Sequence, residues 1–228
     1  MMKCPTLLLA LLALCCGMTA SAQSFKDGPH VGFVTGGDTE DPDVAFGWQA
    51  AYEFNDVCSL ELSVTHMRDK LSGDNLDVGD FSVPAKLQVD IWAVALTAQA
   101  GHLIGERVYL HGGGGVGYYF FTDKDMEEAR RDLAATGGTD SGRPVLDEDV
   151  DIDNDFGFHL TVGVDVLLKQ SWEFFVDYRA AFLETDSERT SLEVFTGSDG
   201  QPRQTNVRRS GNFSYDYGLL RLGFNYRF

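Results

Sequence analysis

The sequence has few cysteines, few basic residues and few long apolar runs, and each shortage excludes a class of protein. Four of the 228 residues are cysteine, and Cys4, Cys15 and Cys16 lie close to the N-terminus. Loss of the first 22 residues would leave Cys58 alone, which excludes an intramolecular disulfide and a cysteine-based metal site. The 18 Lys and Arg residues face 35 Asp and Glu residues, for a net charge of −17. A nucleic-acid partner would need a basic surface, so this class is excluded.

The N-terminus has the layout of an export signal. Lys3 precedes an apolar run over 7–16, and Ala20-Ser21-Ala22 places small residues before Gln23. A positive start, a short apolar run and a small-residue cleavage site are typical of a signal peptide. The run is too short to cross a bilayer, which takes roughly 20 apolar residues. The sequence predicts a cleaved signal peptide over 1–22 and one mature domain over 23–228.

The mature chain contains no apolar run of spanning-helix length, but it alternates apolar and polar residues. In the segment 156–167, the apolar positions are Phe156, Phe158, Leu160, Val162, Val164 and Val166. Strict period-two alternation predicts a β-strand with one apolar face. The segments 172–184 and 220–228 repeat the pattern, and 30–36, 44–54, 58–67 and 107–122 show it less regularly. The segment 86–100 has apolar residues on both faces, which a bulge or a tightly filled interior would explain.

The connections between these strands alternate in length. Three are short (55–57, 101–106 and 169–171) and four are longer and polar (37–43, 69–85, 123–153 and 185–212). Transmembrane barrels have short turns at one end and long loops at the other. The prediction is therefore an all-β protein: a closed antiparallel transmembrane β-barrel of about eight strands, with short periplasmic turns and long external loops. Within the loops, Asp125–Ala135 has helix composition, and Ser198-Asp199-Gly200 predicts the turn of an extended hairpin.

Three segments carry a family resemblance. Gly112–Tyr118, Gly47–Phe54 and the terminal Gly223–Phe228 resemble small outer-membrane barrels of the OmpW, OmpX and OmpA-barrel kind. The resemblance implies a monomer in the outer membrane of a Gram-negative cell, in contact with outer-membrane lipid. It also implies recognition by the barrel-assembly machinery through Phe224, Tyr226 and Phe228. It implies no single activity, since such barrels serve as narrow channels, adhesins, or structural and stress proteins.

Charged residues share the face opposite the apolar one, and closure of the sheet places this face in the lumen. They are Glu61, His111, Asp165, Glu173, Asp177, Arg179, Arg221 and Arg227. Side chains can fill the interior of an eight-stranded barrel, so a packed set of salt bridges and a narrow polar path are both open. Counting from the turn at 169–171 places Asp177 beside Gly163 and Arg179 beside Thr161. The same count brings Arg221 to Asp177.

Other motifs give no chemistry that the sequence supports. The glycine run 112–115 is not followed by Lys and Ser or Thr, so it is not a phosphate loop. We expect it to mark a sharp bend or to make room for large neighbours such as Tyr119. The acidic stretch 147–155 lacks the glycine of an EF-hand; a solvated rim, weak divalent-cation binding, or pairing with Arg203, Arg208 and Arg209 stay open. The five histidines show no zinc-protease spacing. A lipid A-modifying enzyme would need a Ser/His/acid group facing the lipid near the outer rim, where only His66 is placed. We therefore expect no enzyme, and no catalytic, cofactor-binding or metal-binding residues.

Two functions follow as expectations. The first is a narrow channel for small or hydrophobic solutes, with a continuous lumen or a lateral gap between strands. The alternative is a structural or adhesive surface barrel with a plugged lumen, which meets a surface ligand through its external loops.

Overall fold

The described part of the chain forms ten β-strands. The computed structural model describes residues 24–35, 43–71, 87–125, 139–140, 143–169, 171–196 and 201–228. The strands are β1 (Ser24–Thr35), β2 (Val44–Glu53), β3 (Cys58–Leu71), β4 (Leu87–Ile104), β5 (Val108–Asp125), β6 (Thr139–Asp140), β7 (Arg143–Ile152), β8 (Asp155–Lys169), β9 (Trp172–Thr196) and β10 (Pro202–Arg227). The predicted signal peptide and the turn at 198–200 lie outside the described residues, as does nearly all of the predicted helix at 125–135. In the described part of the chain, no helix is long and apolar enough to cross a membrane.

Eight of the strands close into a barrel. Neighbours pair antiparallel in the order β1, β2, β3, β4, β5, β8, β9 and β10, and β10 pairs with both β9 and β1. This closure leaves no strand edge within the ring, which a sheet needs in a bilayer because no water is there to satisfy free backbone groups. The predicted fold class is confirmed.

The alternation places apolar side chains on the outside of the ring. Val162 is 62% exposed, and its neighbours on the strand, Thr161 and Gly163, are buried in the interior. The exposed apolar set continues around the barrel with Val31, Phe46, Leu62, Val94, Val116, Leu160, Val176 and Leu220. A surface of this kind excludes water only against lipid, so the exposed apolar belt is the membrane-facing surface.

The turns at the periplasmic end are short. At the β2–β3 turn, the Asn55 side-chain oxygen accepts hydrogen bonds from the backbone N–H groups of Val57 and Cys58, at 2.9 and 2.8 Å. At the β4–β5 turn, Gly105 has φ of 66°, a conformation that glycine adopts without steric cost. That turn is shorter than the predicted 101–106, because β4 runs on to Ile104.

Other predicted boundaries were wrong as well: β3 continues to Leu71 and not only to Met67, and two larger differences follow. The first strand begins at Ser24 and not at the predicted His30. The prediction missed its first residues because the apolar pattern is weak before Val31 and because a polar residue, Lys26, occupies a buried position. The region predicted as the loop 123–153 contains strands β6 and β7, and β7 pairs with β9 from Ile152↔Ser187 outward. β7 therefore continues the direction of β8 beyond the barrel.

β9 and β10 project beyond the ring as a long hairpin. They pair from Tyr226↔Trp172 to Pro202↔Thr196, whereas the pairing of β10 with β1 ends at Thr35↔Gly218. With β7, the outer parts of β9 and β10 form a three-stranded sheet at the end of the barrel that carries the long loops. We call it the projecting sheet.

Candidate functional site in the barrel lumen

Four charged side chains meet at mid-height in the lumen: Glu61 of β3, Asp177 and Arg179 of β9, and Arg221 of β10. Arg221 donates from Nε and Nη2 to the two oxygens of Asp177, both at 2.8 Å. It also donates to Glu61 Oε1 at 3.2 Å, and Arg179 Nη2 donates to the same oxygen at 2.8 Å. We call these residues the central network. The predicted contact between Arg221 and Asp177 is present, and Asp177 lies opposite Gly163 as counted from the turn.

The central network is buried, and its charges are balanced. Arg221 is 0% exposed and the other three side chains are nearly as buried. Removing charges from water is costly, and an ion pair recovers that cost only with good geometry and further hydrogen bonds. Two carboxylates here match two guanidinium groups. The hydroxyls of Ser63 and Thr97 accept hydrogen bonds from Arg179 at 3.1 and 3.3 Å.

Histidines flank the central network as hydrogen-bonding partners. His30 Nε2 is 3.0 Å from the Thr65 hydroxyl, and His159 Nε2 is 2.8 Å from the Thr97 hydroxyl. Both rings are buried. They widen the layer of side chains that closes the lumen at this height.

A second charged group lies nearer the periplasmic end, around Lys26. The Lys26 ammonium is 2.6 Å from Glu173 and 2.8 Å from Asp165. Arg227 contacts Glu173 and Glu53 at 3.0 and 2.9 Å, and His111 is 3.1 Å from Asp165. We call these six residues the periplasmic cluster: Lys26, Glu53, His111, Asp165, Glu173 and Arg227.

The sequence prediction missed two members of the periplasmic cluster, Lys26 and Glu53. Lys26 falls before the predicted start of the first strand. The sequence does contain a pattern that could have identified it: Lys26, Gly28 and His30 are spaced two residues apart and continue the inward face of β1. Glu53 lies at the predicted end of the second strand. This strand was identified from its apolar face, which includes Tyr52 and Phe54, so the inward-facing Glu53 between them was not considered.

The periplasmic cluster forms the floor of an open cavity of 440 Å³. The cavity is lined by turn residues, among them Asp56 and Glu106, and by Tyr109, which donates to the backbone oxygen of Val57 at 2.9 Å. It ends against the cluster and does not reach the central network. The periplasmic mouth is therefore a vestibule closed at its inner end.

The outer half of the lumen has a different content. The polar face was predicted to line the whole lumen, but apolar and tyrosine side chains fill this half: Val34, Ala45, Met67, Val89, Ile91, Ala93, Tyr119, Phe121, Ile152, Ala181, Leu183, Tyr215, Tyr217 and Leu219. We call them the outer layer. Tyr215 and Tyr217 lie with ring centroids 5.2 Å apart, and the Tyr215 hydroxyl donates to the buried Asp69.

The outer layer explains the ambiguous segment at 86–100. Val89, Ile91 and Ala93 of β4 point into the filled lumen, whereas Trp92 and Val94 face outward. Both faces are apolar because one packs in the lumen and the other faces lipid. A register irregularity between Gln88 and Asp90 is present as well, so both explanations apply.

Glycines make room for the large lumen side chains. A Cβ atom at Gly117 would lie 3.1 Å from the Tyr119 ring, and one at Gly157 would lie 2.9 Å from it. The same arrangement puts the His111 ring over Gly163 and the Phe175 ring over Gly223. The space for Tyr119 is therefore provided by Gly117 and Gly157 and not by the predicted run 112–115, in which a Cβ atom at Gly115 would lie 2.9 Å from the His159 ring.

The remaining predicted residues are found at the ends of the barrel. Phe224, Tyr226 and Phe228 lie exposed on the outward face at the periplasmic end of β10. The side chains of 147–150 lie outside the described residues, so the alternatives for the acidic stretch stay open. Among the residues that the structure describes, no group of three or more His, Cys, Asp or Glu side chains is arranged to hold a metal ion.

His66 lies on the lipid-facing side near the outer end of β3, as its alternation predicts. Its ring lies between those of Phe46 and Trp92, with centroids 4.9 and 4.7 Å away and the ring planes tilted by 45° and 52°. Asp90 lies 4.0 Å from His66 Nε2 and receives two hydrogen bonds from Arg68. Sequence reasoning did not identify this carboxylate. In the described part of the chain, no serine or threonine hydroxyl is hydrogen-bonded to His66.

Comparison with known proteins supports the architecture. Residues 7–228 match the family model described as outer membrane protein beta-barrel domain. The chain is similar to the crystal structure of the outer membrane protein OprG from Pseudomonas aeruginosa, with 17% identity, a TM-score of 0.61, and coverage of 92% of this chain and 97% of that one. It is also similar to a major outer membrane protein from Thermus thermophilus, with 18% identity, a TM-score of 0.53, and coverage of 91% and 100%. No curated protein sequence matches significantly.

Proposed function

The chain belongs to the outer membrane protein β-barrel domain family, and we propose that it is a barrel with a closed lumen that acts at the cell surface through its projecting sheet. As a family member it is an integral protein of the outer membrane. The observation that carries the proposal is the central network, in which Arg221 is fully buried between Asp177 and Glu61.

Two successive layers support a closed lumen. An ion or solute crossing the barrel would have to separate the central network, and breaking a buried ion pair costs about 3–5 kcal/mol. It would then have to pass the outer layer, where Tyr119 is 1% exposed and Met67 and Ile91 are as deeply buried. An ion in an apolar layer of this kind has no partner for its charge.

The projecting sheet supports a role outside the cell. β9 and β10 remain paired for thirteen residues beyond the ring, from Ser214↔Glu184 to Pro202↔Thr196. At about 3.3 Å per residue, this part extends about 40 Å along the strands. Its exposed side chains are mainly polar, including Gln204, Asn206 and Arg208. A paired polar sheet on a membrane anchor is suited to binding a surface ligand by its edge or face.

One observation favours a second candidate, a channel for small apolar solutes. The outer layer gives the external half of the lumen an apolar lining, and such a solute would be held there by the hydrophobic effect. The central network would then block its passage to the periplasm, so the solute would have to leave between strands.

The conductance of the refolded protein in a planar bilayer tests whether ions can cross the barrel, and so whether its lumen is closed. The wild-type barrel is expected to insert and remain silent. The double variant Asp177→Ala/Arg221→Ala removes both partners of one ion pair but leaves the outer layer in place, so it is expected to stay silent as well. An open porin inserted in the same way shows that the assay detects an open lumen. Discrete steps from the wild-type protein would overturn the closed-lumen proposal, and uptake of a fluorescent apolar solute into proteoliposomes would then test the second candidate.

We assign no enzymatic activity to the barrel. His66 and Asp90 form the nearest approach to an acid–base pair on the lipid face, but a hydrolase of this type also needs an activated hydroxyl nucleophile. Incubation of the refolded protein with lipid A should leave the acyl chains and phosphates unchanged by mass spectrometry. Release of a fatty acid that stops in His66→Ala would contradict this assignment.

Two further proposals concern the export of the chain and its insertion into the membrane. Residues 1–22 are proposed to be removed on export, which predicts an N-terminal Gln23 by intact-mass measurement of the membrane-inserted protein. Phe224, Tyr226 and Phe228 are proposed to be read by the barrel-assembly machinery. Deleting Phe228 should then reduce insertion in cells while leaving refolding in detergent nearly intact.

A further inference from the structure

Three buried polar atoms beside the central network have no hydrogen-bonding partner in the described part of the chain. They are Nδ1 of His159, the hydroxyl oxygen of Thr161 and Nε of Arg179. The three residues are 1%, 5% and 2% exposed. Buried polar groups in folded proteins are almost always hydrogen-bonded, so each of these atoms needs a partner. The ion pairs of the central network use other atoms of Arg179 and leave these three groups unpaired.

The three groups lie side by side. Thr161 and Arg179 are paired directly across β8 and β9, and the side chains of directly opposed residues begin about 5 Å apart. His159 is two residues along β8 on the same inward face, about 7 Å away. His159 Nε2 and Arg179 Nη2 contact the same Thr97 hydroxyl, at 2.8 and 3.3 Å. The imidazole and the guanidinium therefore meet at one hydroxyl, next to Thr161.

The Thr97 hydroxyl determines which ring nitrogen of His159 carries the hydrogen. A guanidinium only donates hydrogen bonds, so Thr97 Oγ1 accepts from Arg179. Among the described residues, the acceptor left for the hydroxyl hydrogen of Thr97 is His159 Nε2. The network thus assigns the ring hydrogen to Nδ1. His159 and Arg179 each offer one unpaired N–H group, and Thr161 offers a hydroxyl.

Space beside Thr161 is left by the neighbouring strand. On its other side Thr161 pairs with Gly113 of β5, which has no side chain to fill the lumen. The three atoms nearest to a Cβ atom built at Gly113 all belong to the backbone of β4. Large side chains therefore crowd Thr161 from one side only. The room that remains suits a molecule as small as water, which takes up about 30 Å³ in the liquid.

The charge balance of the central network favours a neutral ligand. Its two carboxylates already match its two guanidinium groups. A chloride ion could accept from the same N–H groups, but it would add an uncompensated negative charge in a buried place, which is costly. A water molecule accepts hydrogen bonds through its two lone pairs and donates through its hydrogens. Water therefore matches both the donors and the charge.

We propose that Arg179, His159 and Thr161 bind one internal water molecule, which links β8 to β9 beside the central network. The water accepts from Arg179 Nε and His159 Nδ1 and donates to Thr161 Oγ1. About three hydrogen bonds to buried polar groups are typical of such a water. It is a fixed part of the layer that closes the lumen, because the outer layer lies beyond it.

Solid-state NMR of the barrel in lipid bilayers, with 15N-labelled histidine, tests this site. The wild type is expected to carry the His159 hydrogen at Nδ1 and to show magnetisation transfer from water to that hydrogen. Thr161→Val keeps the shape but removes the acceptor, so the transfer should fall about fivefold, the effect of one net hydrogen bond. Thr161→Ser restores the hydroxyl and should behave as wild type. Thr65→Val, which removes a buried hydroxyl in contact with His30, is the matched control and should leave the His159 signal unchanged.

Four results would overturn the proposal. One is equal transfer in wild type and Thr161→Val, with heat-dependent gel migration showing that both are folded. Another is a His159 ring with its hydrogen at Nε2. A third is a shift of the Nδ1 signal when chloride is replaced by a bulky organic anion, which would mean that the site holds an anion. The fourth is equal transfer to the Tyr119 hydroxyl, which would mean a continuous water column. This last result would also contradict the closed lumen, whereas the first three do not bear on it.

Discussion

The inner and outer halves of the lumen are enclosed by the same strands, yet they are filled by different chemistry. The inner half contains the central network and the periplasmic cluster, with carboxylates and cations in hydrogen-bonding contact. The outer half contains the outer layer, where Met67, Leu183 and Leu219 pack against tyrosines. The inner half resembles a polar interface, and the outer half resembles the core of a soluble protein.

The difference shows that an eight-stranded barrel does not require a polar lumen. The wall satisfies its own backbone groups by closing, so the contents have only to fill the space and to satisfy their own polar atoms. Ion pairs do this with directional bonds, and apolar side chains do it by packing density. The two halves should therefore respond to different substitutions.

The largest effect is expected from Arg221→Ala in the inner half. The change leaves Asp177 without its two-point partner and Glu61 with one cation fewer, at a cost of about 3–5 kcal/mol. Denaturant unfolding in lipid vesicles measures the loss. A loss below about 1 kcal/mol, the range of exposed pairs, would mean that the central network is solvated in the membrane-inserted barrel.

Leu183→Ala tests the outer half by packing alone. Truncation of a buried leucine costs about 2–5 kcal/mol, depending on how far the cavity closes. The same unfolding assay applies. Leu183→Met keeps an apolar side chain of similar volume and should cost less than about 1.5 kcal/mol of unfolding free energy. A larger loss of stability from Leu183→Met would contradict a core-like outer layer.

Gly157→Ala should have an intermediate effect, also in the outer half. The added methyl would lie 2.7 Å from the Phe182 backbone oxygen and 2.9 Å from the Tyr119 ring. Overpacking of this kind typically costs about 1–3 kcal/mol. Gly112→Ala is the control, because its Cβ would have a single neighbour within 4 Å, at 3.6 Å. Equal stability of the two variants would show that the Tyr119 ring does not pack against Gly157.

The smallest effect is expected outside the barrel, where Arg208 of the projecting sheet pairs with Glu188. The Arg208 side chain is 75% exposed, and an exposed ion pair contributes about 0–1 kcal/mol. Arg208→Ala should therefore unfold nearly as the wild type does. A cost close to that of Arg221→Ala would remove the contrast between buried and exposed arginine pairs.

Alternation and loop length were enough to predict the membrane barrel and the inner half of its lumen. Asp177, Arg179 and Arg221 each lie on a strand with an unbroken apolar face, so their side of the wall was unambiguous. The periplasmic member Lys26 was missed because β1 extends below its apolar segment. The outer layer was missed because apolar residues on both faces, as in β4, do not reveal which face is the lumen.

The pairing beyond the barrel could not be predicted either. β7 runs through most of the acidic stretch 147–155 and has no continuous apolar face, so its own residues do not mark it as a strand. Its partner β9 provides the pairing, which is a tertiary contact that local pattern does not contain. Similarly, the contact between Arg68 and Asp90 joins two strands whose register depends on the barrel as a whole.

The most direct test of a closed lumen is the reactivity of a thiol placed in the middle of it. Thr97 is 0% exposed and contacts both His159 and Arg179. A Thr97→Cys variant in a Cys58→Ser background, inserted in nanodiscs, would be treated with a small water-soluble thiol reagent, with Asp56→Cys on the exposed turn as the reactive control. The closed lumen predicts that Thr97→Cys stays unmodified until the barrel is unfolded. Modification of the folded barrel at a rate close to that of Asp56→Cys would contradict it.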